Sequence, residues 1–325
     1  MWENMQTDKP QVSILMAAYK PNERWLREQL ISLNSQTYGN LELLIYDDCP
    51  ECPLDEGIVR EHITAFPYRI IRGEENLGSN KAFEILTLEG KGKYFSYCDQ
   101  DDVWRFDKVS RMAQVLEKTG SPLVCSDLAI IDEDGNKIAD SITKIRKRHV
   151  FREGEGLAKG LLLNNFVTGC AMMIRADVAK SAAPFVGLVV HDQWLAINAA
   201  LCGRIELIRE PLIDYRQHEK NQTGILHGVT DKRSYYNERI VRYLERIECY
   251  KQRLASDELA SAIEELDEFY NARKRYFAKP TLSDLKIMRK YRGYAKKSVR
   301  IESVMKLIPE WMFKIILKLA KKGKI

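Results

Sequence analysis

Three carboxylates that follow one buried strand are the residues of this chain best suited to chemistry. The apolar run Tyr94–Cys98 predicts the strand, and Asp99, Asp101 and Asp102 lie within four residues of its end. Carboxylates so close together repel one another, and burying them costs several kcal/mol each unless a cation is bound. Hard oxygen ligands suit Mg²⁺ or Mn²⁺, and such ions commonly bridge the phosphates of a substrate. The alternative is an acidic turn that caps the following helix, although a cap needs only one acid.

Two further segments place polar groups where they could contact a phosphorylated ligand. Asp47 and Asp48 end a second apolar run. They could accept hydrogen bonds from a base or a ribose, or they could form a turn or an N-cap. Gly78 precedes a predicted helix that carries Lys81 near its start. Because a helix start offers backbone N–H groups to an anion, we expect a phosphate near Gly78 and Lys81.

Residues in the second half of the chain could complete the chemistry. Asp192 opens a predicted helix, and it could remove a proton from an acceptor hydroxyl or simply cap that helix. Trp194 could form an apolar wall on the acceptor side, against which a sugar ring stacks. His218 could join Asp101 on a metal ion, or it could be an ordinary solvated loop histidine. Arg216, in the same polar run, could lie beside a diphosphate.

Strands alternate with helices in the first hundred residues. The predicted strands cover residues 12–19, 41–46, 68–72 and 94–98, with helices over 25–33 and 79–88. This alternation predicts an α/β domain with a parallel sheet covered by helices on both faces. Ligands of such sheets bind beyond the carboxyl ends of the strands. The strand ends at Tyr19, Asp47 and Asp99 should therefore meet along one rim.

The size of the chain fits one large α/β domain with an appendage. It has 325 residues, of which 45% are hydrophobic and 30% charged, so a soluble globular protein is expected. We predict the α/β domain over residues 1–224 and a helical region over residues 225–325. Seven cysteines without regular spacing, and no signal peptide, favour a reducing cytosol.

The C-terminal region carries most of the positive charge. Residues 281–325 contain thirteen Lys and Arg but only three acids. In the last 25 residues, apolar side chains share one helical face beside lysines, and the apolar run is too short to span a bilayer. This pattern favours a basic amphipathic helix on an anionic membrane surface. The alternative is a helix that packs on the protein itself or on a second copy in a homodimer. No aromatic-basic platform is present, so we expect no nucleic-acid partner.

Six motifs, taken in order, resemble the inverting family-2 glycosyltransferases with the A-type glycosyltransferase fold, a Rossmann-like mixed sheet flanked by helices. The nearest resemblance is to bacterial rhamnosyltransferase-like members. The motifs are Val-Ser-Ile-Leu-Met-Ala-Ala-Tyr (12–19), Tyr-Asp-Asp (46–48), Asn-Leu-Gly (76–78), Cys-Asp-Gln-Asp-Asp-Val-Trp (98–104), His-Asp-Gln-Trp (191–194) and Tyr-Arg-Gln-His-Glu-Lys-Asn (215–221). The resemblance covers about two-thirds of the chain.

The resemblance implies a role for each matched position on the donor side. Ala17, Tyr19 and Asp47 would contact the nucleobase, and Asp99 would contact the ribose or the diphosphate. Cys49 follows the paired acids where the family often has Gly-Ser, so the loop there departs from the family pattern.

The resemblance also implies how the reaction proceeds. Asp101 and His218 would hold Mn²⁺ or Mg²⁺, while Asp102 would be structural at the start of the following helix. Asp192 would be the catalytic base, with His191 before it as in rhamnosyltransferase-like members.

The expected function is transfer of a sugar, with inversion, from a nucleotide-diphosphate donor. Rhamnose from dTDP-rhamnose is favoured, with UDP-hexoses or UDP-N-acetylhexosamines as alternatives. The acceptor would be a growing, lipid-linked glycan of a bacterial surface polysaccharide such as cell wall or capsule. The enzyme would be peripheral on the cytoplasmic face of the plasma membrane. A metal-dependent sugar-nucleotide hydrolase or nucleotidyltransferase and a non-catalytic nucleotide- or lipid-binding scaffold are the rival interpretations.

Overall fold

The computed structural model describes residues 9–146, 149–218, 228–254 and 257–321. The chain forms two compact units, which contain the described residues 9–218 and 228–321. The predicted boundary at residue 224 lies outside the described residues.

The first unit is a sheet with helices between its strands. Its strands are β1 (Val12–Ala18), β2 (Leu41–Asp47), β3 (Tyr68–Arg72), β4 (Tyr94–Cys98), β5 (Val103–Trp104), β6 (Leu123–Ile131), β7 (Lys137–Ala139), β8 (Met172–Arg175) and β9 (Ile205–Arg216). Its α-helices are α1 (Glu23–Asn34), α2 (Glu56–His62), α3 (Ser79–Glu89), α4 (Lys108–Thr119), α5 (Ile142–Ile145), α6 (Ala158–Leu161), α7 (Ala176–Ser181) and α8 (His191–Cys202).

The sheet is mixed in direction. Its strand order is β3-β2-β1-β4-β8-β6-β9-β5, with β7 paired to β6. The first four strands are parallel, as the alternation with helices predicts. β8 then runs antiparallel to both β4 and β6. The parallel sheet predicted from the first hundred residues is confirmed in β1–β4, and the expected mixed, helix-flanked architecture is confirmed as well.

Continuous apolar sequence explains why the central strands lie inside. Six of the seven residues of β1 are buried, and all five of β4 are buried. Strands covered on both faces need apolar side chains at every position rather than at alternate ones. α1 begins after Asn22, whose side chain accepts a hydrogen bond from the Trp25 N–H, and it buries Leu26 and Leu30 against the sheet.

The register of the parallel strands sets the position of the site. Ala18 at the end of β1 lies opposite Asp47 at the end of β2, and Met16 lies opposite Cys98 of β4. The chain after each strand therefore emerges at the same edge of the sheet. The predicted rim is confirmed by this register.

The second unit is helical. Its helices are α9 (Lys232–Tyr236), α10 (Arg242–Arg253), α11 (Asp257–Ala278), α12 (Leu282–Lys290), α13 (Lys296–Val304) and α14 (Glu310–Lys321), with a π-helical turn over Asn237–Val241. Phe313 and Leu317 of α14 are buried with Tyr235 and Met305. Among the described residues, no helix has both the length and the apolar character needed to cross a membrane.

Candidate active site

Asp101 and His218 contact each other, although 117 positions separate them in the sequence. Nε2 of His218 lies 2.8 Å from Oδ2 of Asp101. β9 makes this contact possible, because its end pairs with β5, where Val103 lies opposite Asp214. The ring of Trp25 packs on the His218 ring, with centroids 4.8 Å apart. The structure thus brings together the two side chains predicted as metal ligands.

Arg216 supports the acidic turn from inside the protein, and its predicted place beside a diphosphate is wrong. Its side chain is fully buried. Its Nε donates to the Asp101 carbonyl oxygen at 2.8 Å, and its guanidinium pairs with Glu28. Its own backbone N–H donates to Oδ1 of Asp102 at 3.0 Å. Asp102 is also fully buried, and it precedes β5 rather than starting a helix.

Asp192 lies in the first turn of α8, held from two directions. Its Oδ1 accepts a hydrogen bond from the Asn165 side-chain amide at 2.9 Å, and its Oδ2 accepts one from the Gly169 N–H at 3.1 Å. The N-cap position of α8 is Val190, so Asp192 is not the cap of this helix. Asn80 of α3 holds the helix start instead, because its Oδ1 accepts from the His191 N–H at 2.8 Å.

Tyr19 and Ala17 lie where the end of β1 meets the acidic turn. The backbone N–H of Tyr19 donates to Oε1 of Gln100 at 2.8 Å, and Nε2 of Gln100 donates back to the Tyr19 carbonyl at 3.1 Å. The Tyr19 side chain is exposed, and Ala17 is half-buried. Gln100 therefore ties the end of β1 to the turn that carries Asp99 and Asp101.

The Asp47 carboxylate stabilises the loop that follows β2. It is buried and accepts hydrogen bonds from the Leu54 N–H at 2.8 Å and from Nη1 of Arg72 at 2.6 Å. A third, longer bond comes from the Cys49 N–H at 3.3 Å. Both oxygens are thus engaged by the protein, which differs from the predicted contact with a nucleobase.

The start of α3 is not an open phosphate site. Asp48 already accepts hydrogen bonds from the Leu77 N–H at 2.7 Å and the Gly78 N–H at 2.8 Å. Lys81 forms a salt bridge with Glu84 one turn further along. The carboxylate of Asp48 takes the place that we predicted for a phosphate at Gly78 and Lys81.

The predicted acceptor-side role of Trp194 is wrong. Its side chain is 1% exposed, and its indole N–H donates to the Ala182 carbonyl at 2.8 Å. A ring inside the core cannot stack on a sugar. Trp194 follows Asp192 by two positions on α8, so the two side chains point to different sides of the helix.

The comparisons with known proteins agree with this geometry. Residues 13–181 match the model of the family described as "Glycosyl transferase family 2". This chain belongs to that family.

Curated relatives of this chain include glycosyltransferases. A glycosyltransferase of Methanocaldococcus jannaschii is 27% identical over 216 residues, which cover 65% of this chain and 72% of that protein. This chain spans less than a third of the length of several other matched relatives.

Solved structures match the fold. Residues 1–349 of S. aureus TarS, in complex with UDP-GlcNAc, superpose with a TM-score of 0.56 at 15% identity, covering 89% of this chain and 82% of that one. The mannosyltransferase PcManGT from Pyrobaculum calidifontis, in complex with GDP-Man and Mn²⁺, gives 0.54 at 13% identity, covering 96% and 88%. The predicted A-type glycosyltransferase fold is confirmed.

The carboxylates of this family 2 glycosyltransferase influence one another. Burial, together with the charges of Asp101 and Asp192, raises the pKa of Asp99 to about 7. Burial also raises the pKa of Asp192 to about 6, against the opposing effect of its hydrogen bonds from Gln193, Gly169 and Asn165. Asp99 therefore lies close enough to both other acids to sense their charge. A carboxylate with a pKa near 6 is well placed to exchange a proton near neutral pH.

The Asp101–His218 pair fits a divalent ion. Carboxylate oxygen and imidazole nitrogen are both ligands of Mn²⁺, whereas carboxylate suits Mg²⁺. Neighbouring ligands about 2.1 Å from an octahedral ion lie about 3 Å apart. Nε2 of His218 and Oδ2 of Asp101 lie 2.8 Å apart, which is also the length of a hydrogen bond between them. The two donors are close enough together for both to contact one ion.

Sequence reasoning missed several residues that position the site. Gln100, Asn80 and Asn165 all make side-chain hydrogen bonds between separate elements. Gln100 lies within the acidic turn, Asn80 directly precedes Lys81, and Asn165 lies in a segment without a recognised motif. In the sequence, a polar amide within an otherwise apolar or acidic segment could have indicated such a positioning residue.

Gly169 allows the close approach that holds Asp192. A Cβ built at Gly169 would lie 2.5 Å from Nε2 of His191, whose ring is packed between Phe83 and Tyr97. We therefore expect Gly169→Ala to cost about 1–3 kcal/mol of stability through overpacking and to lower transfer by displacing Asp192. Thermal unfolding and initial rates measure both effects. Gly187→Ala, where a Cβ meets nothing within 4 Å, is the control, and equal behaviour of the two variants would contradict this role.

Proposed function

We propose that this chain transfers a sugar, with inversion, from a nucleotide-diphosphate donor to a hydroxyl acceptor. The observation that carries the proposal is the electrostatic cluster of Asp99, Asp101 and Asp192, with His218 against Asp101. In this proposal Asp192 is the general base and Asp99 contacts the donor. Membership of glycosyltransferase family 2 supports the transferase activity.

In the proposed mechanism, Asp192 accepts the proton of the acceptor hydroxyl as its oxygen bonds to the anomeric carbon. The bond from that carbon to the diphosphate breaks on the opposite face. Asn165 and Gly169 keep the Asp192 carboxylate oriented through this step. Asp101 and His218 would hold Mn²⁺ or Mg²⁺, which supplies positive charge for the departing diphosphate.

We propose rhamnose from dTDP-rhamnose as the favoured donor, with UDP-hexoses and UDP-N-acetylhexosamines as the alternatives. The resemblance of His191-Asp192 to rhamnosyltransferase-like members favours rhamnose. TarS in complex with UDP-GlcNAc and PcManGT in complex with GDP-Man are structural neighbours, which keeps the alternatives open.

A panel of nucleotide sugars tests both the reaction and the donor. The protein is incubated with each donor and Mn²⁺, with and without simple glycoside acceptors, and nucleotide release is measured. We expect one donor to be used preferentially, with slow hydrolysis that an acceptor accelerates. Release that no acceptor accelerates would favour a hydrolase, and no turnover of any donor, with binding retained, would favour a scaffold.

We also propose that the enzyme binds an anionic membrane surface and acts there on a lipid-linked glycan. One face of α14 supports this. Its apolar side chains Trp311, Ile315 and Leu319 are exposed, and Leu307 before the helix is 83% exposed. The exposed lysines of the helix lie beside them: Lys314, Lys318 and Lys321. An exposed apolar row flanked by lysines fits the surface of an anionic bilayer, here assigned to the cytoplasmic face of the plasma membrane.

Replacing the apolar row should weaken membrane binding. We expect Trp311→Ser combined with Ile315→Ser to lower binding to phosphatidylglycerol-containing vesicles by tenfold or more, because each change removes exposed apolar area that the bilayer would cover. Vesicle co-sedimentation measures the binding of each variant. Leu282→Ser, at another exposed leucine of the second unit, is the control. Unchanged vesicle binding, together with loss of a dimer in sedimentation velocity, would show instead that this face binds a second copy.

A further inference from the structure

The helical second unit contains a cavity of about 420 Å³ that the proposed transfer reaction does not use. Its lining comes from α9, the π-helical turn, α11, α13 and the residues around the start of α14: Lys232, Arg233, Tyr236, Ile240, Arg273, Tyr276, Phe277, Glu302, Met305, Lys306 and Glu310. The volume lies within the usual range for small-ligand sites.

The charge of the lining is positive. Four of its side chains are cations and two are carboxylates, which leaves an excess of two positive charges. Arg273 and Glu302 neutralise each other in a buried pair, with Nε 2.9 Å from Oε2. The excess of two positive charges therefore comes from the other lining residues.

Two lysines of the lining donate their ammonium groups to carbonyl oxygens, and the Glu310 carboxylate, also in the lining, accepts from the Lys232 backbone N–H at 3.1 Å. Lys232 donates from Nζ to the Ile308 carbonyl at 2.5 Å, and Lys306 donates from Nζ to the Ala278 carbonyl at 2.6 Å. A carbonyl oxygen fixes an ammonium group but carries no compensating charge. Arg233 is exposed, and its planar guanidinium suits bidentate contact with a phosphate.

Apolar groups form the other part of the lining. The rings of Tyr236 and Phe277 are stacked, with centroids 4.6 Å apart and an angle of 29° between their planes. Ile240 and Met305 are buried beside them. A site lined by both cations and stacked rings fits a ligand that is itself part anionic and part apolar.

Part of the exposed apolar surface directly follows the cavity lining in the sequence. Met305 and Lys306 line the cavity, and the next residue, Leu307, is exposed. We propose that this cavity binds the phosphate headgroup and first acyl carbons of one anionic phospholipid taken from the membrane surface. The inference rests on the proposed membrane association and adds to it a defined one-to-one lipid site.

Short-chain phosphatidylglycerol, kept below its critical micelle concentration, tests the cavity without any bilayer. We expect calorimetry on the full-length protein to show one site, with short-chain phosphatidylcholine at least tenfold weaker and glycerol phosphate alone weaker still. Arg233→Glu and Lys306→Gln should each weaken phosphatidylglycerol binding by tenfold or more. Arg289→Glu, which reverses an exposed charge outside the lining, should leave it unchanged.

Two results would overturn the inference: equal binding of the two lipids, or equal binding by Arg233→Glu and Arg289→Glu. The variant that combines Trp311→Ser with Ile315→Ser distinguishes this inference from the membrane proposal. If that variant loses vesicle binding but still binds short-chain phosphatidylglycerol, both proposals stand. If wild-type protein ignores vesicles yet binds the short-chain lipid through Arg233, the membrane proposal fails and the lipid site remains.

Discussion

Asp192→Asn should reduce sugar transfer by about 10²–10⁴-fold, the contribution typical of a general base. The change removes the charge and the basicity but keeps the size of the side chain. The Asn165 amide and the Gly169 N–H, which now hold the carboxylate, would still meet an oxygen at one position. Nucleotide affinity should therefore stay near the wild-type value. Initial rates and calorimetry with the nucleoside diphosphate measure the two quantities.

Asp177→Asn is a matched control for this change. Asp177 also lies in the first turn of a helix of the same unit, but it is exposed and pairs with Arg175 on the surface. The Asp177→Asn variant should transfer sugar at the wild-type rate. Near-normal turnover by Asp192→Asn would remove Asp192 from the mechanism.

The pH dependence of the transfer rate is a second test of Asp192 as the general base. Burial raises the pKa of Asp192 to about 6, and a base works only in its ionised form. Transfer should therefore rise with pH through about 6 and then level off, and it should be lost as the pH falls below that value. A rate with no change between pH 5 and pH 8 would contradict this role of Asp192.

Asp101→Asn should strongly weaken the response of the enzyme to Mn²⁺. The substitution removes the negative charge from one of the two donors that lie 2.8 Å apart, and His218 alone is a weak ligand for such an ion. We expect the Mn²⁺ concentration for half-maximal rate to rise by at least a hundredfold. Rates measured across a metal titration, with Mn²⁺ binding followed by electron paramagnetic resonance, check this.

The control for the metal site is Asp140→Asn. Asp140 is an exposed acid that pairs with Lys137 and Lys144, far along the chain from the acidic turn. Its replacement should leave the metal titration unchanged. Full wild-type activity in excess chelator would exclude Asp101 and His218 as ligands of a required ion.

Strand ends were predictable because local sequence determines them. An apolar run that stops at acids identified β4 and Asp99, and parallel pairing then brought the ends of β1, β2 and β4 to one rim. Ligand chemistry alone left the role of His218 open, and the resemblance to family 2 was needed to pair it with Asp101. The antiparallel direction of β8 was not predictable, because it depends on how a long connection returns to the sheet.

The wrong predictions for individual side chains have a common physical cause. Trp194 and Arg216 were placed at the ligand because of their chemical type, yet both are fully buried. Whether such a residue faces a ligand or the core depends on packing between distant elements. Arg216 is buried because Glu28 and several carbonyl oxygens from other segments surround it. None of these partners is near Arg216 in the sequence.

The position of Arg216 and His218 at the end of β9 affects how the enzyme is made. β1 to β4 are synthesised first, and they already carry the residues of the rim up to Asp99. The partner of Asp101 emerges from the ribosome 117 residues later. Until β9 has joined β5 and β6, the acidic turn lacks both its imidazole and its supporting guanidinium. A nascent chain therefore brings Asp101 and His218 together only when β9 is in place.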